Sequence, residues 1–330
     1  MSDAASHLKT IEPKRVFLAG ASGTIGRAVA RALIKDGHRV VALLRPGAAR
    51  EGLEGAEFRE GEATDPNSLA SAGFRGEAFD AVVSCLASRN GAPADAWAVD
   101  HGANLALLGA AKDAGAAHFV LLSAICVQKP RLEFQRAKLA FEEALIASGL
   151  TFSIVRPTAY FKSLSGQAAR VKAGKPFLLF GDGALTATKP ISDDDLARFI
   201  ADCLIDSAQQ NRILPVGGPG PVLTAREQGE ALFAALGRPP KFKSVPPGFL
   251  KAVADGLSAL GTIVPALKAK AEFARIGHYY GTESMLVWDE ARETYDAAAT
   301  PEFGTETLAD FYEKLVKGDA DASLGDHKVF

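Results

Sequence analysis

The sequence predicts an α/β fold: a doubly wound parallel sheet with helices on both faces, followed by a smaller C-terminal substrate-capping region. Three observations predict it. Apolar strands alternate with amphipathic helices through the first half, the first strand runs through closely spaced glycines into a helix, and prolines break the second half into short elements.

The first unit is Val16-Phe-Leu-Ala-Gly20-Ala-Ser-Gly23-Thr-Ile-Gly26, an apolar strand entering a helix that runs to Leu33. Gly37 then turns the chain into a second strand over 39–44. Glycines between a strand and a helix form a dinucleotide cradle: Gly20 for the tight turn, Gly23 for close approach of a pyrophosphate, Gly26 for packing of the helix on the sheet. Ser22, Thr24 and Ile25 complete the loop, and the helix N-terminus offers N–H groups and a positive dipole end to the phosphates. A short strand near 58–61 and a helix start at Asp65-Pro66-Asn-Ser68 follow. Further strands are expected over 78–85, 118–123 and 151–155, with long helices over 93–114 and 133–148. Residues 1–158 are thus read as a Rossmann domain for NADP(H), and 159–330 as the cap, with 189–192 and 213–217 as candidate strands to extend the sheet.

In the second half, Asp193-Asp-Asp195 precedes an apolar helix face and reads as an N-cap with dipole complement; Thr224 before Arg226-Glu227 reads as a second cap. The stretch 256–267 is apolar and bracketed by Asp255 and Lys268, with further lysines at Lys251 and Lys270. It is too short to span a bilayer and reads as a cap helix, with an interfacial or lid segment as the alternative.

Net charge is -2, which gives no footprint for nucleic acid. The three scattered cysteines, Cys85, Cys126 and Cys203, favour a reducing compartment and exclude a clustered thiolate site, so no metal is expected among the protein's own ligands. The short polar N-terminus has no apolar targeting core, from which a cytoplasmic location is expected.

The residue after the second strand selects the cofactor. Arg45 there suits a 2′-phosphate, whereas an acid would bind a ribose diol, so NADPH is expected. Asp65, ending the third strand, is placed for the adenine. Residues 84–88, with Cys85 and Leu86, and Ser123 lie at strand C-termini, where ligands of open parallel sheets sit.

The glycine run together with Arg156-Pro157-Thr158 resembles the short-chain dehydrogenases, in an atypical form. In that family a Tyr-x-x-x-Lys pair supplies the proton donor and a lysine for the nicotinamide ribose; here Phe134 replaces the tyrosine while Lys138 is retained. Ser123-Ala-Ile-Cys-Val-Gln-Lys-Pro130, Glu133-Phe-Gln-Arg-Ala-Lys138 and Tyr279-Tyr-Gly-Thr-Glu-Ser-Met-Leu286 are similar to the NADPH-dependent divinyl chlorophyllide 8-vinyl-reductases, a resemblance running from about residue 14 to the end at Gly325-Asp-His-Lys-Val-Phe330.

The resemblance implies reduction of a vinyl group on a magnesium tetrapyrrole to ethyl, in chlorophyll or bacteriochlorophyll synthesis. A vinyl group conjugated to a macrocycle accepts hydride without an acid polarising a carbonyl, so loss of the tyrosine is tolerable. Lys138, Ser123, Cys126 and Tyr160 are the candidate catalytic residues. Phe161, Phe177, Phe249, Tyr279 and Tyr280 are candidates to stack on the pigment, His278 to approach its magnesium, and Arg156 or Lys129 to meet its propionate. Peripheral contact with a photosynthetic membrane is an open alternative, as are a reductase of smaller alkenes, of isoflavone or quinone type, and a non-catalytic NADP(H) sensor.

Overall fold

Seven parallel strands form the central sheet of the computed structural model, which describes residues 12–89, 91–261, 264 and 266–320. Six come from the first half: β1 (Arg15–Ala19), β2 (Arg39–Leu44), β3 (Glu57–Glu60), β4 (Ala81–Ser84), β5 (His118–Leu122) and β6 (Thr151–Pro157). Two short strands outside the sheet follow, β7 (Phe177–Phe180) and β8 (Ala187–Thr188), and then the seventh sheet strand, β9 (Arg212–Val216). The order β3-β2-β1-β4-β5-β6-β9 reverses between β1 and β4, the switch point at which ligands of such sheets bind. Of the candidate extensions, the segment around 213–217 supplies β9, while 189–192 contributes a single bridge between Ile191 and Tyr160.

Helices α1 (Thr24–Lys35), α2 (Pro66–Ser68), α3 (Pro93–Ala96), α4 (Asn104–Asp113), α5 (Glu133–Ile146), α6 (Phe161–Leu164), α7 (Ala168–Lys172) and α8 (Asp193–Asp202) connect these strands. Alternation along β1 decides which face each covers. Val16 and Leu18 point to the side where Val29 and Leu33 of α1 meet Leu196 and Ile200 of α8. Phe17 and Ala19 point to the other side, onto Leu107 and Leu108 of α4 and Phe141 and Leu145 of α5. Each such fully buried side chain contributes about 1.5–3 kcal/mol, so both faces carry core weight.

The helix expected over 93–114 is interrupted. Between α3 and α4, residues Trp97–Ala103 wind as π-helix, the wider turn that shifts helical register and recurs at functional sites. The cap of α8 also differs from expectation: Ser192 Oγ accepts from the Asp195 N–H at 3.0 Å, and Asp193, Asp194 and Asp195 fill the first turn. Asp195 turns inward and accepts from the N–H groups of Thr305 and Glu306, binding the C-terminal region to this helix.

The cap region comprises β10 (Leu223–Thr224), α9 (Ala225–Ala235), β11 (Phe242–Val245), the hairpin of α10 (Phe249–Gly261) and α11 (Ala266–Thr282), the ribbon of β12 (Val287–Asp289) and β13 (Thr294–Asp296), and α12 (Leu308–Lys317). Thr224 and Glu227 close a reciprocal capping box on α9, as the sequence implies. Phe161, Phe177, Leu232, Phe233 and Tyr312 make a separate core. The apolar stretch 256–267 forms the end of α10 and the start of α11, with residues 262, 263 and 265 outside the described residues, as are 1–11 and the similar tail 325–330.

His118 on β5 is buried neutral. Its Nε2 lies 3.0 Å from Ser153 Oγ, which itself donates to the Gln209 carbonyl, so Nε2 carries the proton and Nδ1 is left without a partner. Burial first, and the Lys14 charge second, lower its pKa from 6.5 to about 4. Only the unfolded chain takes up this proton between those values, so stability is full above pH 6.5 and falls as pH drops towards 4, by about 3 kcal/mol from this group. Urea titrations of wild type and His118→Phe across that window are expected to show a shallower acid loss in the variant.

Candidate active site

The C-terminal ends of β1, β4 and β5, together with α5 and α11, converge at one place. The glycine turn forms its floor. Gly20 has φ +80°, and a Cβ on it would lie 2.5 Å from the Cys85 carbonyl group, so the turn after β1 and the loop after β4 are in direct contact. A Cβ on Gly26 would overlap the Gly20 carbonyl oxygen; this glycine is required by the close approach of α1 to the turn. At Gly23 the nearest atom to an added Cβ is 3.4 Å away, which is ordinary contact. The fold itself therefore has no need of a glycine at 23, whereas a ligand resting on the loop does.

The residues present fit a dinucleotide. Helix α1 starts at exposed Gly23 without a side-chain cap and without an acid in its first turn, leaving its positive end open to an anion. Arg27 binds the carbonyls of Ser22, Ala49 and Glu51, fastening the loop after β2 to the glycine turn. That loop carries Arg45, which lines a surface depression of about 350 Å³ with Pro46, Gly47, Ala48, Glu62 and Arg89, at the edge where an adenosine 2′-phosphate belongs. Asp65 sits nearby but is exposed and caps α2, its Oδ1 accepting from Asn67 N–H at 2.9 Å. Cys85 and Leu86 are half-buried beside the turn, and Ser84 Oγ donates to Asn104 Oδ1 at 2.5 Å.

Lys138 forms the opposite wall. Its Nζ lies 2.9 Å from Asp100 Oδ1, whose side chain is fully buried. Asp100 comes from the π-helical turn, so the irregularity in that helix supplies the lysine's counter-charge. An uncompensated buried carboxylate is costly, and the pair holds Lys138 in one position at the strand ends. Ser123, Glu142 and Arg156 form a second buried chain: the Ser123 hydroxyl donates to Glu142 Oε1, and Arg156 binds both Glu142 oxygens. Ser123 is thereby committed inward.

Cys126 stands where three elements meet. Its carbonyl accepts from Gln135 Nε2 of α5 at 3.0 Å and from the Tyr279 hydroxyl of α11 at 2.9 Å. Its Sγ lies 3.9 Å from the Tyr280 hydroxyl. Burial raises the pKa of this thiol, and the charge of Lys138 opposes that rise only in part; for Cys85 the same two effects leave a value of about 12. Both are thiols at neutral pH. Tyr160 is half-buried, with its phenol also pushed up by burial and by the neighbouring Cys85, Asp193 and Cys126.

The segments 123–130 and 279–286, both similar to the vinyl-reductases, meet in one contact. Gln128 donates to the Leu286 carbonyl and accepts from Trp288 N–H at 2.8 Å. Glu283 receives Lys129 and Arg131, each at 2.7 Å, and the Tyr295 hydroxyl at 2.6 Å. Burial alone raises the Glu283 pKa, but these partners outweigh it and hold the carboxyl below its usual range. Lys129 also stands 4.0 Å over the Trp288 ring.

Several expected pocket residues have other duties. Phe161, Phe177 and Tyr279 are buried, the first two in the cap core and the third bonded to the Cys126 and Lys129 carbonyls. Lys129 and Arg156, candidates for a propionate, already hold Glu283 and Glu142. Phe249 and Tyr280 remain open, and His278 is half-buried on α11. Sequence reasoning missed Asp100, Gln135, Glu142 and Glu283, because each acts through a partner distant in the chain.

Residues 20–207 match the family described as NAD(P)H-binding. Among curated proteins, the chain is 46% identical over 347 residues to divinyl chlorophyllide a 8-vinyl-reductase, chloroplastic, of Oryza sativa subsp. indica, covering 100% of this chain and 86% of the relative. It is 47% identical over 334 residues to the protein of the same name from Zea mays, covering 96% and 82%. Among solved structures, AtPrR2 with NADP+ and (+)pinoresinol superposes with a TM-score of 0.68 at 19% identity, over 92% of this chain and 99% of that one, a likeness of fold.

The glycines separate folding from ligand binding. Gly26→Ala is expected to unfold or strongly destabilise the protein, since the clash is with backbone. Gly23→Ala is expected to melt close to wild type yet bind NADPH at least about tenfold more weakly, about 1.4 kcal/mol, by fluorescence titration.

Proposed function

The chain belongs to the NAD(P)H-binding family and, within it, to the divinyl chlorophyllide a 8-vinyl-reductases, and from that premise we propose how its residues reduce the 8-vinyl group of a divinyl chlorophyllide to ethyl with NADPH. The observation that carries the reading is near-complete alignment at 44–47% identity to four proteins of that name, joined to a site with a dinucleotide cradle and no tyrosine at position 134.

NADPH, when bound, supplies hydride. The protein's part is to hold the two reactants and to manage charge. Gly20, Ser22, Gly23, Thr24, Ile25 and Gly26 would cradle the pyrophosphate at the α1 N-terminus, Arg45 would pair with the 2′-phosphate, Asp65 would border the adenine, and Cys85, Leu86 and Ser123 would lie at the nicotinamide end. Lys138, fixed by Asp100, would hold the nicotinamide ribose. A positioned pair of reactants accounts for much of the rate, because orienting them beforehand removes an entropic cost of several kcal/mol. An alkene conjugated to a macrocycle disperses the incoming electron pair over the ring, so no group has to polarise a carbonyl oxygen.

The pigment lies on the cap side of this floor, beside the open face of α11. The α10–α11 hairpin also suits peripheral contact with an anionic membrane. Leu260 is 57% exposed and Val264 48%, at the turn of the hairpin, with exposed Lys268 and Lys270 in the first turns of α11. Exposed apolar residues at a tip followed by two lysines match a lipid interface, where the former enter the acyl boundary and the latter meet headgroups. No helix among the described residues is long and apolar enough to cross a membrane.

Purified protein with divinyl chlorophyllide and NADPH is expected to shift the Soret band to that of the monovinyl pigment; Arg45→Ala is expected to raise the KM for NADPH and narrow its preference over NADH. An unchanged spectrum from protein shown to bind NADPH overturns the reading. In flotation with vesicles containing anionic lipid, wild type is expected to float and Leu260→Asp/Val264→Asp to remain at the bottom; flotation of both rejects the membrane contact.

A further inference from the structure

Phe134 leaves the site without a hydroxyl at the place where a short-chain dehydrogenase carries its acid, and α11 brings another hydroxyl there. Ile276 of α11 shares an apolar cluster with Phe134, Leu132 and Cys126, and lies so close to Gly91 that a Cβ there would be 2.7 Å from its Cδ1. One helical turn on, the Tyr280 hydroxyl stands 3.9 Å from Cys126 Sγ. Its position is fixed by its neighbour: the Tyr279 hydroxyl donates to the carbonyls of Cys126 and Lys129, and the two tyrosine rings meet edge to face at 5.7 Å.

We propose that Tyr280 is the proton donor of the reduction, an inference that rests on the vinyl-reductase reading. The other candidates in the cluster are less suited. The Ser123 hydroxyl faces Glu142, Tyr279 is buried with its proton engaged, Lys138 is engaged with Asp100, and Tyr160 packs against the core beneath α1 and α8. Tyr280 is 40% exposed, so part of its ring is open on α11, while its hydroxyl lies against the Cys126 thiol. Burial of that hydroxyl, with Cys126, Tyr279 and Tyr160 around it, keeps the phenol protonated across the physiological range.

The step balances. The terminal vinyl carbon accepts hydride from NADPH, which contributes two electrons and one hydrogen and leaves NADP+. The alkene π pair moves to the ring-attached carbon and is delocalised there. That carbon takes the proton from the Tyr280 hydroxyl, giving the ethyl group and a tyrosinate, which is reprotonated by water once the product leaves and the phenolate oxygen is uncovered.

The test compares wild type, Tyr280→Phe and Tyr160→Phe, measuring NADP+ and pigment binding, kcat, and deuterium in the product formed in D2O. Tyr280→Phe is expected to bind both ligands within threefold of wild type and to lose about 100-fold or more in kcat, with Tyr160→Phe much less affected. A 2,3-difluorotyrosine at 280, which keeps the ring and makes the phenol more acidic, is expected to retain turnover and to move the alkaline limb of kcat to lower pH; an unmoved limb overturns the proposal even where Tyr280→Phe folds poorly. Tyr280→Phe with kcat within threefold of wild type overturns it, as does a loss confined to pigment binding, which marks a stacking wall. Wild type that reduces no divinyl pigment overturns the reductase reading itself; wild-type turnover, with one solvent deuterium in the ethyl group, and an unaffected Tyr280→Phe overturns only the role of Tyr280.

Discussion

The carbonyl of Cys126 is the joint on which the site depends. It accepts one hydrogen bond from Gln135 on α5 and one from Tyr279 on α11, so the loop after β5, the helix bearing Lys138 and the helix bearing Tyr280 are held at one atom. A buried carbonyl with two donors is well satisfied, and removal of either donor forfeits one hydrogen bond, about 0.5–1.5 kcal/mol, and with it one of the two ties. Glu283 reinforces the joint from below by gathering Lys129, Arg131 and Tyr295. The elements that recognise the cofactor and the elements that face the substrate are thus fixed to each other rather than merely adjacent.

A second constraint acts at the glycine turn. Gly26 lets α1 press onto the Gly20 carbonyl, and Gly20 lets the turn press onto Cys85. These contacts set the height of the helix N-terminus above the sheet, and Arg27 transmits that height to the loop bearing Arg45. Lys138 is fixed separately, by a counter-ion that rises from a helix wound out of register.

The chemistry follows from what was lost and what was kept. Phe134 removes the acid on α5, which a carbonyl substrate would miss and a conjugated vinyl group tolerates. The lysine remains, held by Asp100. The buried pairs Lys138–Asp100 and Arg156–Glu142 neutralise these charges near the strand ends, beside the thiol of Cys126 and the phenols of Tyr279 and Tyr280.

Most of the fold was legible from sequence, because strand alternation and helix periodicity are local: β2 falls at 39–44 as expected, and the capping box at Thr224 was readable from four residues. The glycine turn was legible for the same reason, since its spacing lies within one strand–turn–helix unit. The π turn was not, because its cause is the burial of Asp100 against Lys138, 38 residues away. Nor were the duties of Lys129, Arg156 and Phe161, which looked like pocket residues and became structural once Glu283, Glu142 and the cap core came to meet them. The sequence by itself determined the family and the sheet, as these rest on short-range pattern and on segments similar to known relatives. Only the tertiary structure decided that the segments around Cys126 and Tyr279 are two sides of one joint, because hydrogen bonds between residues some 150 positions apart leave no mark on local spacing.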